Sequence, residues 1–89
     1  MLRITPVDSG NHKVVLRLEG RVSGPWVSEL GEACEKVLTV GKSLELNLAE
    51  VSFLDGAGIG LLMSIQTRGV ELVDSTIFVK EQLRTATLR

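Results

Sequence analysis

The chain has no tyrosine, only three aromatic residues (Trp26, Phe53 and Phe78), one histidine and one cysteine. Each shortage excludes something. Single-stranded nucleic acids are held on stacked rings along a cationic track, and duplexes by clustered Lys and Arg. Here ten basic residues are scattered from Arg3 to Arg89 among eleven acidic ones, for a net charge of −1. No nucleic-acid binding is expected. The lone Cys34 cannot form an internal disulfide, which fits a reducing compartment. One His12 and one Cys34 cannot supply the three or four ligands of a metal centre. Neither a metal nor another cofactor is expected. The strongest apolar stretch, Ile59 to Ile65, is far short of the roughly 20 residues that span a bilayer, and the first residues hold no signal-peptide run. The expectation is a cytoplasmic protein with no membrane contact.

What is present is a soluble globular mix, 44 % apolar and 24 % charged, in a length that makes one domain over residues 1–89. Leu2 and Ile4 alternate with Arg3 and Thr5, a short strand that Pro6 ends at a sheet edge. Residues 8–11 form a turn cluster. Val14, Leu16 and Leu18 alternate with Val15, Arg17 and Glu19, a half-buried strand closed by Gly20. Ser23, Gly24 and Pro25 start a helix, Ser23 as the capping residue and Pro25 in the first turn. Trp26, Val27, Leu30, Ala33, Cys34, Val37 and Leu38 then share one helical face over about 14 residues, until Gly41.

Leu44, Leu46 and Leu48 alternate with Ser43, Glu45 and Asn47 in a second half-buried strand, with Val51 and Phe53 beyond it. Asp55 is placed to cap a helix that runs to Gly69 and, being apolar nearly all round, should be the most buried one. Val70 to Val73 reads as a third core strand. Residues 74–76 offer caps for a last short helix, packed through Ile77, Phe78, Val79 and Leu83, with residues 85–89 fraying. The order β-β-α-β-α-β-α implies an α/β fold with a mostly parallel sheet. Strict alternation in two strands, rather than continuous apolar runs, puts the helices mainly on one face.

The segment Asp55-Gly56-Ala57-Gly58-Ile59-Gly60 is the most informative. Glycines that open a helix after a strand can cradle an anion, or they can be a tight turn. The spacing fits neither the dinucleotide nor the P-loop fingerprint, and Asp55 would repel a phosphate. Cys34 lies on an apolar helix face and His12 in a polar turn, so they do not form a nucleophile–base pair. Glu50 and Asp55 are five residues apart across a strand end, too loosely placed for acid–base work. The chain is not expected to be an enzyme.

Residues 44–62, LELNLAEVSFLDGAGIGLL, resemble the signature of STAS domains of the anti-sigma-factor-antagonist type. In that family an alternating strand leads to a hydrophobic–Asp–Ser–Ser–Gly turn and an apolar helix. The similarity extends to residues 16–21 (LRLEGR) and 69–73 (GVELV), and in pattern covers about residues 13–84. The resemblance implies a protein-binding module whose partner is an anti-sigma factor that is also a serine kinase, and in which phosphorylation of the second serine abolishes binding. Charge added to a close-packed interface opposes it by desolvation and repulsion. In this chain Gly56 and Ala57 occupy the two serine positions, so Ala57 marks a phosphosite without a hydroxyl. Asn47 stands where many members carry aspartate, and residues 74–76 make an unusually short connection.

The expected partner surface is Asp55, Gly56, Ala57 and Gly58, with Arg21 and Ser23 beside them, not switched by serine phosphorylation. The alternative is a STAS-like domain that holds a small ligand, a nucleotide or a lipid, between helix and sheet. Nothing in the sequence specifies a homo-oligomer.

Overall fold

In the computed structural model, which describes residues 2–8, 10 and 12–87, the period-two segments become strands and the 3.6-period segments helices. In chain order they are β1 (Leu2–Asp8), β2 (Lys13–Val22), α1 (Pro25–Thr39), β3 (Ser43–Leu54), α2 (Gly56–Gln66), β4 (Glu71–Val73) and α3 (Ile77–Thr87). The strands form one sheet in the order β1-β2-β3-β4. β1 runs antiparallel to β2, whereas β2–β3 and β3–β4 are parallel, as crossover connections through α1 and α2 require.

The register explains the one-sided cover. Ile4 opposes Leu18, Leu16 opposes Leu46, and Leu46 opposes Leu72, so these side chains share a face. That face meets Leu30 and Cys34 of α1, Leu62 and Ile65 of α2 and Val79 of α3 in one core cluster. Arg3, Thr5, Arg17 and Glu71 point the other way and stay exposed. Lys13 and Glu45 pair on that open face at 2.7 Å. Truncating any one of the buried leucines to alanine would cost about 2–5 kcal/mol.

Several boundaries depart from the sequence reading. Pro6 does not end β1, which continues to Asp8 opposite Val14; an edge strand leaves one row of backbone groups unpaired and tolerates proline. Gly20 does not close β2. It adopts φ +109° at a register shift, and the strand goes on to Val22. β3 likewise carries Ala49 and Glu50 exposed in succession before Val51 returns to the core. The turn expected at residues 8–11 involves positions 9 and 11, outside the described residues.

The helices differ from expectation too. α2 has an open side, because its exposed positions Gly56, Ala57 and Gly60 count as apolar in composition while offering at most a methyl group to bury. In α3, Ile77 is 82 % and Phe78 52 % exposed, while Val79 is fully buried. The Thr76 hydroxyl caps this helix by accepting the Val79 N–H at 3.2 Å, which fixes the rotation that turns Ile77 and Phe78 outward. α3 also holds to Thr87 rather than fraying from Thr85. Among the described residues no helix is long and apolar enough to cross a membrane.

Candidate functional site

The corner between β3 and α2 is organised by one carboxylate. Asp55 is extended (φ −88°, ψ −179°) and caps α2, with Oδ1 accepting the Gly58 N–H at 2.7 Å. Its Oδ2 accepts the Gly24 N–H at 3.0 Å, at the start of α1. Its own N–H donates to the Val22 carbonyl at 3.2 Å. One residue thereby joins the end of β2, the start of α1 and the start of α2. The N–H groups of Gly24 first, and Gly58 second, hold the Asp55 carboxyl below the usual carboxylate range.

Ser23 is consequently not the cap of α1. The cap position is Gly24 at φ +56°, with no side-chain hydrogen bond of the usual kind, followed by Pro25 at the first helical positions. Asp55 reaches over from another element to satisfy the N–H at that end. Ser23 is half-buried and uses its carbonyl to accept the Trp26 N–H at 3.2 Å.

Gly58 differs from its neighbours. It is buried, and a Cβ there would lie 2.4 Å from the Val22 carbonyl oxygen. The expectation that a partner touches it is therefore corrected: Gly58 allows the turn to pack and faces inward. Gly56 and Ala57 are exposed, and a Cβ on Gly56 would meet nothing within 4 Å. Arg21 is exposed beside the corner, its guanidinium 4.9 Å from the centre of the Phe53 ring. The presented set is thus Gly56 and Ala57, with Arg21, Gly24 and Pro25 around them. The place of Gly24 at this corner was not legible in the sequence because its hydrogen bond to Asp55 spans 31 positions.

Other candidates separate. Cys34 is buried, and desolvation pushes its thiol up to about 11. His12 is exposed at the opposite end of β3, where its carbonyl accepts the Ser43 N–H at 2.7 Å. Glu50 is exposed on the β3 irregularity. Among the described residues no three His, Cys, Asp or Glu side chains converge as metal ligands. Asn47 has a structural role: its amide donates to Asp74 Oδ2 at 3.1 Å, and its Oδ1 accepts the Ala49 N–H at 3.0 Å. It ties the β3 irregularity to Asp74, which adopts the left-handed φ of +55° between β4 and α3.

The family model described as "Mlab, STAS domain" matches residues 6–88. The chain belongs to this STAS-domain family. Among solved structures, this STAS domain is similar to SpoIIAA, an anti-sigma factor antagonist, in its unphosphorylated form. The TM-score is 0.72 at 17 % identity, covering 92 % of this chain and 82 % of SpoIIAA. A second similar structure is that of Mglu, with a TM-score of 0.67 at 25 % identity, covering 82 % of this STAS domain but only 20 % of the Mglu chain. None of the curated proteins matches. The four-stranded mixed sheet with three helices is the STAS fold, as the resemblance in residues 44–62 implied.

Proposed function

We propose that this STAS domain is a cytoplasmic protein-binding regulatory module, not an enzyme, that receives its partner on the corner formed by Asp55, Gly56 and Ala57 with Arg21. The observation that carries the reading is the two-way hydrogen bonding of Asp55 to Gly24 and Gly58, which rigidifies the corner and leaves Gly56 and Ala57 outside it. A surface fixed before binding loses little conformational freedom on association. The partner class is a protein of the anti-sigma-factor kind, by likeness to SpoIIAA in fold. With alanine at position 57 the corner has no hydroxyl to phosphorylate, so the module stays competent to bind. A small-ligand reading has less support: among the described residues no whole polar side chain is buried, and the buried polar side-chain atom without a partner is Gln82 Oε1.

The test is recovery of specific partners from the protein's own cytosol on immobilised wild type and Ala57→Asp. The wild type retains a partner and the variant loses it. Retention of every specific partner by Ala57→Asp would refute this surface as the interface. In a parallel assay a serine kinase with ATP should place no phosphate in residues 55–60.

A further inference from the structure

β1 is an edge strand of seven residues, and among the described residues no strand pairs with its outer side. The opposite edge, β4, is only three residues long. A long edge is a template for a further strand, and proline or charge usually blunts it. Pro6 blunts this one in part. Proline in an edge strand keeps its nitrogen on the unpaired side. The outward row is therefore residues 2, 4, 6 and 8, in which Pro6 withholds one donor and still offers its carbonyl.

A groove of about 420 Å³ runs between this edge and α1. Ile4, Pro6 and Val37 give it an apolar lining, and Glu29, Glu32 and Lys36 stand along its α1 wall. None of these three charges has an ion-pair partner among the described residues. They are ordered: the acids come first, and Lys36 lies about 10 Å beyond Glu29 along the helix axis. Because α1 connects the parallel strands β2 and β3, it runs back along the sheet, in the direction of β1. A two-fold axis that sets β1 antiparallel to its own copy also reverses α1. The Glu29 end of one copy then faces the Lys36 end of the other. The charged wall is complementary to itself.

We propose that β1 pairs antiparallel with β1 of a second copy about a two-fold axis at Thr5, joining two four-stranded sheets into one. In this register the Pro6 carbonyl of each copy accepts the Ile4 N–H of the other. Leu2, Ile4 and Pro6 of both copies fill the space between the two α1 helices. On the open face Arg3 stands opposite Val7 of the second copy, so like charges do not meet. The contact is isologous and uses up both long edges, so assembly stops at two. It is a different surface from the corner, since Asp55, Gly56, Ala57 and Arg21 do not line this groove.

The test is sedimentation equilibrium of the purified full-length chain, which should show a monomer–dimer equilibrium. Thr5 is exposed, so Thr5→Glu leaves the core intact while setting two carboxylates against each other on the axis, and it should abolish the dimer. Lys36→Glu and Glu29→Lys should each weaken dimerisation about tenfold. The double variant restores the complementary order in reverse and should recover it. Thr5→Cys should give a disulfide-linked dimer under mild oxidation, because directly opposed residues bring their Cβ atoms to about 5 Å. Thr39→Cys, equally exposed but away from the axis, should not. A wild type that stays monomeric up to about 1 mM, a dimer indifferent to Thr5→Glu, or a double variant no better than the single ones would overturn the proposal. These measurements involve no partner protein, so failure of the dimer and failure of the corner are told apart.

Discussion

The Asp55 carboxylate accepts the backbone N–H of Gly24, 31 residues earlier in the chain, at 3.0 Å. Together with the Gly58 N–H at 2.7 Å on its other oxygen, this makes a single acidic side chain the fastener between the beginnings of two helices. Both bonds require the ionised form to be at full strength.

Acid should therefore loosen the corner. The folded-state pKa of Asp55 is held below its unfolded value, so its contribution is present above the ordinary carboxylate value near 3.8 and is lost as pH falls through the lower, folded value. Asp55→Asn removes this component. Thermal melts between pH 6 and pH 2.5 should show a shallower pH dependence for the variant than for the wild type. Parallel curves would mean that Asp55 is not coupled to folding.

Gly58 and Gly60 of α2 should respond oppositely to alanine. Gly58→Ala forces its Cβ against the Val22 carbonyl, and overpacking of this kind costs about 1–3 kcal/mol. Gly60→Ala meets nothing within 4 Å and should stabilise the helix by about 0.5–1 kcal/mol. Urea unfolding of the two variants checks both signs, and a neutral Gly58→Ala would contradict the packing described.

Cys34 should be unreactive in the native protein. Burial raises its thiol from 9.0 to about 11, with Glu35 adding to the shift and Arg68 opposing it. Alkylation at pH 8 should proceed only as fast as the chain unfolds. Because the unfolded thiol ionises first, stability falls as pH rises past 9 and levels off above about 11. Cys34→Ala should lack that alkaline decline.

Asn47→Asp would place a carboxylate at hydrogen-bond distance from Asp74. One bond is lost and a like-charge pair is created, a loss of about 1 kcal/mol at neutral pH. The contact with Asp74 thus favours asparagine over aspartate at position 47. Equal stability of the variant and the wild type at pH 7 would show that the Asn47–Asp74 contact is dispensable.

In α3 the order of effects inverts what side-chain size suggests. Val79→Ala empties a fully buried site and should cost about 1–3 kcal/mol, whereas Phe78→Ala, at 52 % exposed, should cost less than about 1 kcal/mol. Chevron or equilibrium denaturation of the pair decides it.

Element order and the covered face of the sheet were legible because Leu16/Leu18 and Leu44/Leu46/Leu48 alternate with polar neighbours, and the STAS turn because Asp55 stands at a strand-to-helix boundary. The orientation of α3 was not legible. β4 is three residues long, and the Gln82 side chain donates to the Leu54 carbonyl at 3.2 Å, a contact 28 positions apart. For the same reason Ser23 looked like a cap: local pattern names the nearest oxygen, while the fold supplies Asp55 from another element. The strand irregularity at Ala49 leaves no local mark, whereas Gly20, which reads as a strand end, marks a register shift inside the strand.

The reach of the Gly24–Asp55 bond also bears on timing. β2 is synthesised before β3, its parallel neighbour, and the second half of the fastener follows the first by 31 residues. A nascent or truncated polypeptide ending before Gly58 has no assembled corner to offer. On the proposed reading, a polypeptide cut before Gly58 would be unable to bind through this corner.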